Sequence, residues 1–512
     1  MAKKATKAAP ATKAAAAGKQ AERIGARART GNRLPATGNR SSKLRVLMVA
    51  SECAPFAKTG GLADAVAGLA SALARLGHHV TLVLPGYRGL AADAADAGYV
   101  FVPTGFETRS VQLRELASAD GVRLILVDEP VFATREQFYG EHGADYPDNV
   151  ARFALLSRAA LQFAVRDGER FDVVHAHDWH ASLAPVYLKT RYADQPAAPR
   201  GSVFTIHNLA FQGLFDIGDL PLLDLDPGLF AVDALEYWGR ASALKGGCVF
   251  ADWVTTVSPS YARETRETEL GFGFQGILKA RGDRYVGILN GIDATVWNPE
   301  TDPYLPAAYS AADPSGKAAS KAELLREFGI ADADAPLVGM VTRLAHQKGT
   351  DLVREVLPHL VDRLTLVLLG AGEPPLEAAW QRLAADHPGR IGVRIGFDER
   401  LAHLIEAGAD MFLMPSRYEP CGLNQMYSLR YGTPPVVHAV GGLNDTVTPK
   451  NGFTFAEATA DVLQASLALA VETWRNRRKW RALQRAGMQM DFSWDRSALE
   501  YVKVYRSATQ HS

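Results

Sequence analysis

Apolar runs of strand length alternate along this chain with stretches whose apolar residues recur at helical spacing. Residues 44–50 (LRVLMVA) form the first such run, nearly continuous in the manner of a strand buried on both faces. After a short loop, Leu62, Val66, Leu69, Ala70 and Leu73 fall on one helix face, Gly77 ends that helix, and 79–85 is the next strand. Further strand-type runs lie at 122–127, 172–176, 201–206 and 254–257. A helix carrying Phe153, Leu156 and Leu161 follows Tyr146-Pro147-Asp148-Asn149. Residues 300–335, rich in Ala, Pro and Asp, predict a mobile surface excursion ending in a helix near 321–328. A second series of runs then occupies 337–342, 364–369, 393–397, 411–414 and 436–440. The repeat predicts an α/β fold with two doubly wound, Rossmann-like halves, 43–258 and 259–490, and a last helix in 491–512 holding Trp494 and Tyr501.

Length agrees, because 512 residues exceed what one compact core usually holds. The composition, 47% apolar and 22% charged, is that of an ordinary globular protein, and no apolar run is long enough to span a membrane. Three widely spaced cysteines, Cys53, Cys248 and Cys421, form no CxxC pair, which points to a reducing, cytoplasmic setting without structural disulfide or zinc. The zero net charge conceals a division: residues 1–43 carry eleven Lys/Arg and one acid, leaving 45 bases against 55 acids elsewhere. An acidic body argues against a general nucleic-acid role. The segment 1–42 has too little apolar surface to fold and is expected to be a disordered basic tail, either a nonspecific nucleic-acid contact or a functionless extension.

Candidate chemistry sits where strands end, the place where open parallel sheets bind ligands. Glu419 follows the strand at 411–414, ahead of Cys421-Gly422-Leu423; Gly441-Gly442-Leu443 follow the strand at 436–440, with Thr446 just beyond. A carboxylate in one turn and backbone N–H groups in the next suit a ligand carrying hydroxyls and phosphates. Taken alone, Glu419 reads more readily as a solvated loop acid, and Cys421 as a small buried apolar residue rather than a nucleophile. Arg343 and Lys348 flank the turn after 337–342, a planar fork beside a point charge, suited to a pyrophosphate. In the first half, Lys58-Thr59-Gly60-Gly61 lets a ligand approach backbone, with Asp64 one step into the helix. His177-Asp178-Trp179-His180 and His207-Asn208 end two strands; the histidine spacing matches no metal-ligand pattern, so no metal is expected.

Several of these stretches resemble one family in its order. PSRYEPCGLNQMYSLRYGTPPVVHAVGGLNDTV (415–447), KTGGLADAV (58–66), HDWH (177–180), HNLAFQG (207–213) and LNGID (289–293) are similar to motifs of the bacterial and plant glycogen/starch synthases. The resemblance covers the chain from Lys43 onward. It implies a GT-B arrangement, two Rossmann-like domains facing across a cleft, transferring glucose from ADP-glucose to an α-1,4-glucan with retention and without a cofactor. On that resemblance Glu419, His207, Arg343, Lys348 and Asp178 carry catalysis. Lys58, Gly60, Gly61, Asp64, Tyr146, Asn208, Asn290, Phe397, Cys421, Gly422, Leu423, Gly442, Leu443 and Thr446 bind substrate. Phe211 and Phe397 stand where many members have tyrosine; base stacking survives the second change, a hydroxyl contact does not. The alternatives open at this point are another donor such as UDP-glucose, a pyridoxal-phosphate-dependent phosphorolysis, and a non-catalytic glucan or nucleotide binder.

Overall fold

The structure is a computed structural model describing residues 43–510 apart from 119, 142–143, 169 and 332–333. The basic segment 1–42, and the nucleic-acid contact expected of it, lie outside the described residues. The first sheet has nine strands: β1 (Arg45–Val49), β2 (His79–Pro85), β3 (Ala95–Thr104), β4 (Glu107–Leu116), β5 (Arg123–Asp128), β6 (Val173–His177), β7 (Gly201–Ile206), β8 (Trp253–Thr256) and β9 (Tyr285–Gly287). Their order is β9-β8-β7-β6-β1-β2-β5-β4-β3. The seven from β9 to β5 are parallel and almost wholly buried, as their continuous apolar runs require. At the edge, β3 and β4 run antiparallel, with Val100, Val102, Val111 and Leu113 turned inward and their neighbours toward solvent. β9 lies beyond residue 258, so the first sheet continues past the boundary read from the sequence.

The second sheet is parallel throughout. Its strands β10 (Leu337–Val341), β11 (Thr365–Gly370), β12 (Ile391–Ile395), β13 (Met411–Met414), β14 (Pro435–His438) and β15 (Phe453–Phe455) take the order β12-β11-β10-β13-β14-β15. The stretch expected to be a mobile excursion is instead packed. Asp302 pairs with His403 Nδ1 at 2.7 Å and Tyr309 is buried, while Trp297, just ahead of the stretch, stacks on His403 and on Tyr427, each at 3.8 Å. Its helix also starts earlier, at Lys317–Glu327, because Lys317 Nζ is drawn inward to Ala407 O and Thr433 Oγ1, both at 2.6 Å.

The last helix, Trp494–Ala508, returns to the first half. Trp494, Tyr501 and Tyr505 share a core with Val46, Met48 and Val66. Trp494 lies so close to the helix Gly61–Arg75 that a Cβ on Gly68 would come within 2.0 Å of its indole nitrogen. Gly68→Ala is therefore expected to destabilise the fold by about 1–3 kcal/mol, the usual cost of overpacking. Chemical denaturation measures this, and an unchanged midpoint would mean that the helix is not seated there.

In both sheets the winding direction reverses beside the first strand: β1 lies between β2 and β6, and β10 between β11 and β13. Crevices at the C-terminal ends of strands form at these reversals. No helix among the described residues is long and apolar enough to cross a membrane.

Candidate active site

In the second crevice two turns are stitched together. After β10 the chain makes a tight turn at His346–Lys348 and enters the helix Thr350–Val356 through Gly349, whose φ is +64°. A Cβ on Gly349 would sit 2.1 Å from Pro415 O, so only glycine lets this turn lie against the loop after β13. Gln347 O accepts from Arg417 N at 2.8 Å, and Gln347 Nε2 donates to Tyr418 O at 3.2 Å. The result brings Lys348 Nζ to 2.5 Å from Glu419 Oε2, which also accepts from Ser416 Oγ at 3.0 Å. Both side chains are largely buried, 17% and 9% exposed. Arg343 is exposed and touches only Gln347 Oε1, at 3.2 Å; among the described residues it has no carboxylate partner. A cation without a counter-charge beside a buried ion pair is an arrangement ready for an anion.

The glycine pair behaves differently from expectation. Gly441 N donates to the Glu264 carboxylate at 2.9 and 3.1 Å, Gly442 N to Pro420 O and Glu419 O, and Leu443 N to Val440 O. Gly441, Gly442 and Leu443 are buried, and Thr446 Oγ1 donates to Gly442 O at 2.6 Å inside the fold. These residues do not offer free N–H groups to a phosphate. They exist to let β14's turn pack on the Glu419 loop: a Cβ on Gly441 would fall 1.9 Å from Glu419 O, and one on Gly442 2.1 Å from Cys421 O. The glycines thus hold Glu419 in place from behind.

The first crevice contains a residue that the sequence reading missed. Glu52, two positions past Ala50, is buried and accepts from Thr59 N and Thr59 Oγ1 at 2.6 Å, Gly60 N at 3.3 Å and Tyr139 OH at 2.6 Å. It fixes the Lys58–Gly61 turn. Lys58 itself is exposed and paired with Asp64 at 2.7 Å; burial raises the Asp64 carboxyl, and Lys58 opposes that shift. A carboxylate just beyond a strand's C-terminal end was the available signal for Glu52.

Asp178 and His207 are brought together across the β6 and β7 ends. Asp178 adopts φ +54°, and its Oδ1 accepts from His207 N at 2.7 Å and Asn208 N at 3.3 Å. Asp178 therefore shapes the His207 turn instead of presenting a free carboxylate. Burial pushes its carboxyl up to about 7, against the pull of those two N–H groups. His207 Nε2 pairs with His177 Nδ1 at 3.1 Å, and burial lowers the His207 imidazole to about 3, so it is uncharged at neutral pH. His175 is engaged by Tyr505 OH at 2.8 Å and Thr205 Oγ1 at 2.6 Å.

The two halves meet across the cleft. The Tyr418 ring, beside Glu419, packs edge-on to Phe272 at 5.7 Å. Gly61 faces Leu423, and Ser258 Oγ donates to Pro420 O at 2.6 Å. Burial pushes the Cys421 thiol well up from its ordinary range, against the pull of the Asn290 backbone N–H, so Cys421 packs and does not present a thiolate. Gly422 takes φ +70° ahead of the helix Asn424–Arg430. Phe397 is 88% exposed just past β12, an uncommitted aromatic face. Tyr146 is not drawn into this group: its hydroxyl donates to Glu141 at 2.5 Å and its ring lies against Arg135 and Arg152.

Residues 45–280 match the family described as starch synthase catalytic domain, and 322–486 match glycosyl transferases group 1. The glycogen synthase of Koribacter versatilis (strain Ellin345) is 44% identical over 478 residues, covering 91% of this chain and 99% of the relative. That of Anaeromyxobacter dehalogenans (strain 2CP-C) is 47% identical over 474 residues, with the same coverage. Among solved structures, the catalytic domain of starch synthase IV from Arabidopsis thaliana, bound to ADP and acarbose, superposes with a TM-score of 0.83 at 34% identity, covering 92% of this chain and all of that one. A sucrose-phosphate synthase from Thermosynechococcus elongatus has a TM-score of 0.60 at 18% identity, a likeness of fold alone.

Proposed function

We propose that this chain, which belongs to the starch and glycogen synthase family of glycosyltransferases, transfers glucose from ADP-glucose to the non-reducing end of an α-1,4-glucan with retention. The observation that carries the reading is the Lys348–Glu419 pair beside unpaired Arg343, at the second sheet's reversal point. A nucleotide sugar splits into the two complements of that pair. Its diphosphate takes Lys348 and Arg343, and its sugar hydroxyls take Glu419, freed from the lysine. ADP and acarbose in the Arabidopsis starch synthase support the choice of adenine nucleotide and glucan. Phe397 offers its face to the base, and the Lys58 turn closes over the donor from the opposite domain.

In the step we propose, the bond from the anomeric carbon to the β-phosphate oxygen breaks and ADP leaves with the electron pair. The acceptor's 4-hydroxyl oxygen attacks from the same face, and its proton passes to the departing phosphate oxygen. Arg343 and Lys348 stabilise the developing diphosphate charge. Glu419 opposes positive charge at the sugar, and neutral His207, held by His177, hydrogen-bonds a sugar hydroxyl. Support for front-face departure over a covalent glycosyl-enzyme is that Glu52 and Asp178 are each tied to the loop they hold. The same reading divides the described chain into a first domain joined by residues 491–510, a second nucleotide-sugar domain, and a cleft between them. It is cytoplasmic, in keeping with three buried free thiols.

A coupled assay on glycogen primer tests it. ADP-glucose is expected to give the higher kcat/KM, with full turnover in excess chelator because side-chain cations serve in place of a metal. Preference for UDP-glucose, or no turnover with either donor, overturns the reading; activity lost to chelator and restored by magnesium overturns the metal-free step. Deleting residues 1–42 is expected to leave turnover on soluble glycogen nearly unchanged, since the segment has little apolar surface to pack on either domain. A large fall in activity or melting temperature would make it integral.

A further inference from the structure

Away from the cleft, a cavity of about 710 Å³ opens between residues 311–315, the helix Lys317–Glu327 and the helix Arg477–Met488. Asp410, in its wall, directly precedes β13, whereas Glu419 follows that strand's other end. The four residues of β13 thus place the cavity about 13 Å or more from the catalytic loop, on the opposite edge of the sheet.

Its charge is the reverse of the chain's. Arg477, Arg481 and Arg485 recur every fourth residue and line one wall, so they share a helix face. Their helix contains no Asp or Glu, and among the described residues none of the three forms an ion pair. Like charges at this spacing repel, so the row costs stability, and among the described residues no carboxylate offsets it. One further cation, Lys321, lines the cavity against two acids, Asp313 and Asp410, and takes Asp410 at 2.7 Å; Lys317 is also in the wall but spends its Nζ on Ala407 O and Thr433 Oγ1. The balance is positive on a body that is acidic overall.

Aromatic rings line the cavity as well, but they are not stacking platforms. Trp474 and Trp480 are 5% and 3% exposed; Trp474 is covered by the Arg477 guanidinium at 4.0 Å and faces Lys321 at 5.6 Å, and Trp480 stacks on Phe453. A glucan ring has no open face to meet. What the tryptophan does instead is hold the Arg477 guanidinium against its ring. Concavity also matters: a membrane surface or duplex needs a flat or convex cationic face, while this row lines a hollow of small-ligand size.

We propose that this cavity binds a small molecule bearing two or more phosphate groups, with Arg477, Arg481 and Arg485 as its direct ligands. The assignment does not depend on the reaction proposed above. The test is calorimetric titration of inorganic pyrophosphate onto the full-length R343A/K348A protein, in which the nucleotide-sugar site has lost both of its diphosphate cations. One pyrophosphate per chain is expected. R477Q/R481Q/R485Q is expected to weaken it about tenfold or more per arginine removed, the worth of a charge-assisted hydrogen bond. Turnover without pyrophosphate should be unchanged in that variant. R481E, a single exposed change, serves if the triple variant folds poorly, and should abolish the same heat. No heat in the R343A/K348A background, or equal affinity when the three arginine changes are added to it, overturns the site. So does a wild type that ignores pyrophosphate yet binds phosphatidylglycerol vesicles or RNA through these arginines.

Discussion

Glu419→Gln is expected to cut turnover by about 100-fold or more while the protein still binds ADP-glucose, because the substitution keeps shape and removes charge. In the free protein the carboxylate is shared between Lys348 Nζ at 2.5 Å and Ser416 Oγ at 3.0 Å. When a diphosphate takes the lysine, Glu419 is left with a neutral sugar before reaction and a partly cationic one at the transition state. A carboxylate interacts far more strongly with the second, so its loss appears in kcat more than in KM. Cys421→Ser, two residues away, is the control. Its thiol is buried among Val257, Met426 and Tyr427, and serine differs from cysteine by one atom, so a mild effect is expected. Steady-state kinetics and titration of donor onto both variants decide the matter. Equal inactivity of the two, with a glucosyl adduct on Cys421 by mass spectrometry, would replace the front-face step with a covalent one.

How far the sequence could be read follows from which forces leave a local trace. Buried parallel strands do: β1, β7, β11 and β13 appear as apolar runs because both faces meet helices. The β3–β4 hairpin left none, since its Glu107, Arg109 and Arg114 belong to solvent-facing positions and mask the inward Val and Leu. The packing at the start of 300–335 left no trace for a related reason: Asp302 pairs with His403 and Tyr309 packs against Tyr431, partners more than 100 positions away. Site residues divide the same way. Glu419, Lys348, His207 and Asp178 were legible as polar residues at strand ends, where the topology places a crevice. Gly442 and Thr446 shared that address but serve packing, and only the hydrogen bonds of Gly441 and Gly442 to Glu264 and Pro420 reveal it. Glu52 left no such trace because it acts through another group, the Lys58 turn, and His177, named at its strand end, shows its contact with the His207 ring only in the fold.

Removing either cation of the second crevice is expected to be nearly as damaging as removing the carboxylate. Arg343→Ala and Lys348→Ala should each raise the barrier by roughly 2–4 kcal/mol, the range for losing one group aimed at developing transition-state charge. The two variants should differ in stability, and that difference is informative. Arg343 is exposed and bonded only to Gln347, so its truncation leaves no buried group unsatisfied, and the melting temperature should hardly move. Lys348→Ala leaves Glu419 largely buried with Ser416 as its remaining side-chain partner, so some loss of stability accompanies the loss of rate. Turnover measured at saturating ADP-glucose, alongside thermal unfolding of each variant without ligand, separates the two effects. If both variants turned over like the wild type, the diphosphate would have to leave without either cation. Arg343 would then be an ordinary surface arginine, and the Lys348–Glu419 pair a structural tie between the two loops.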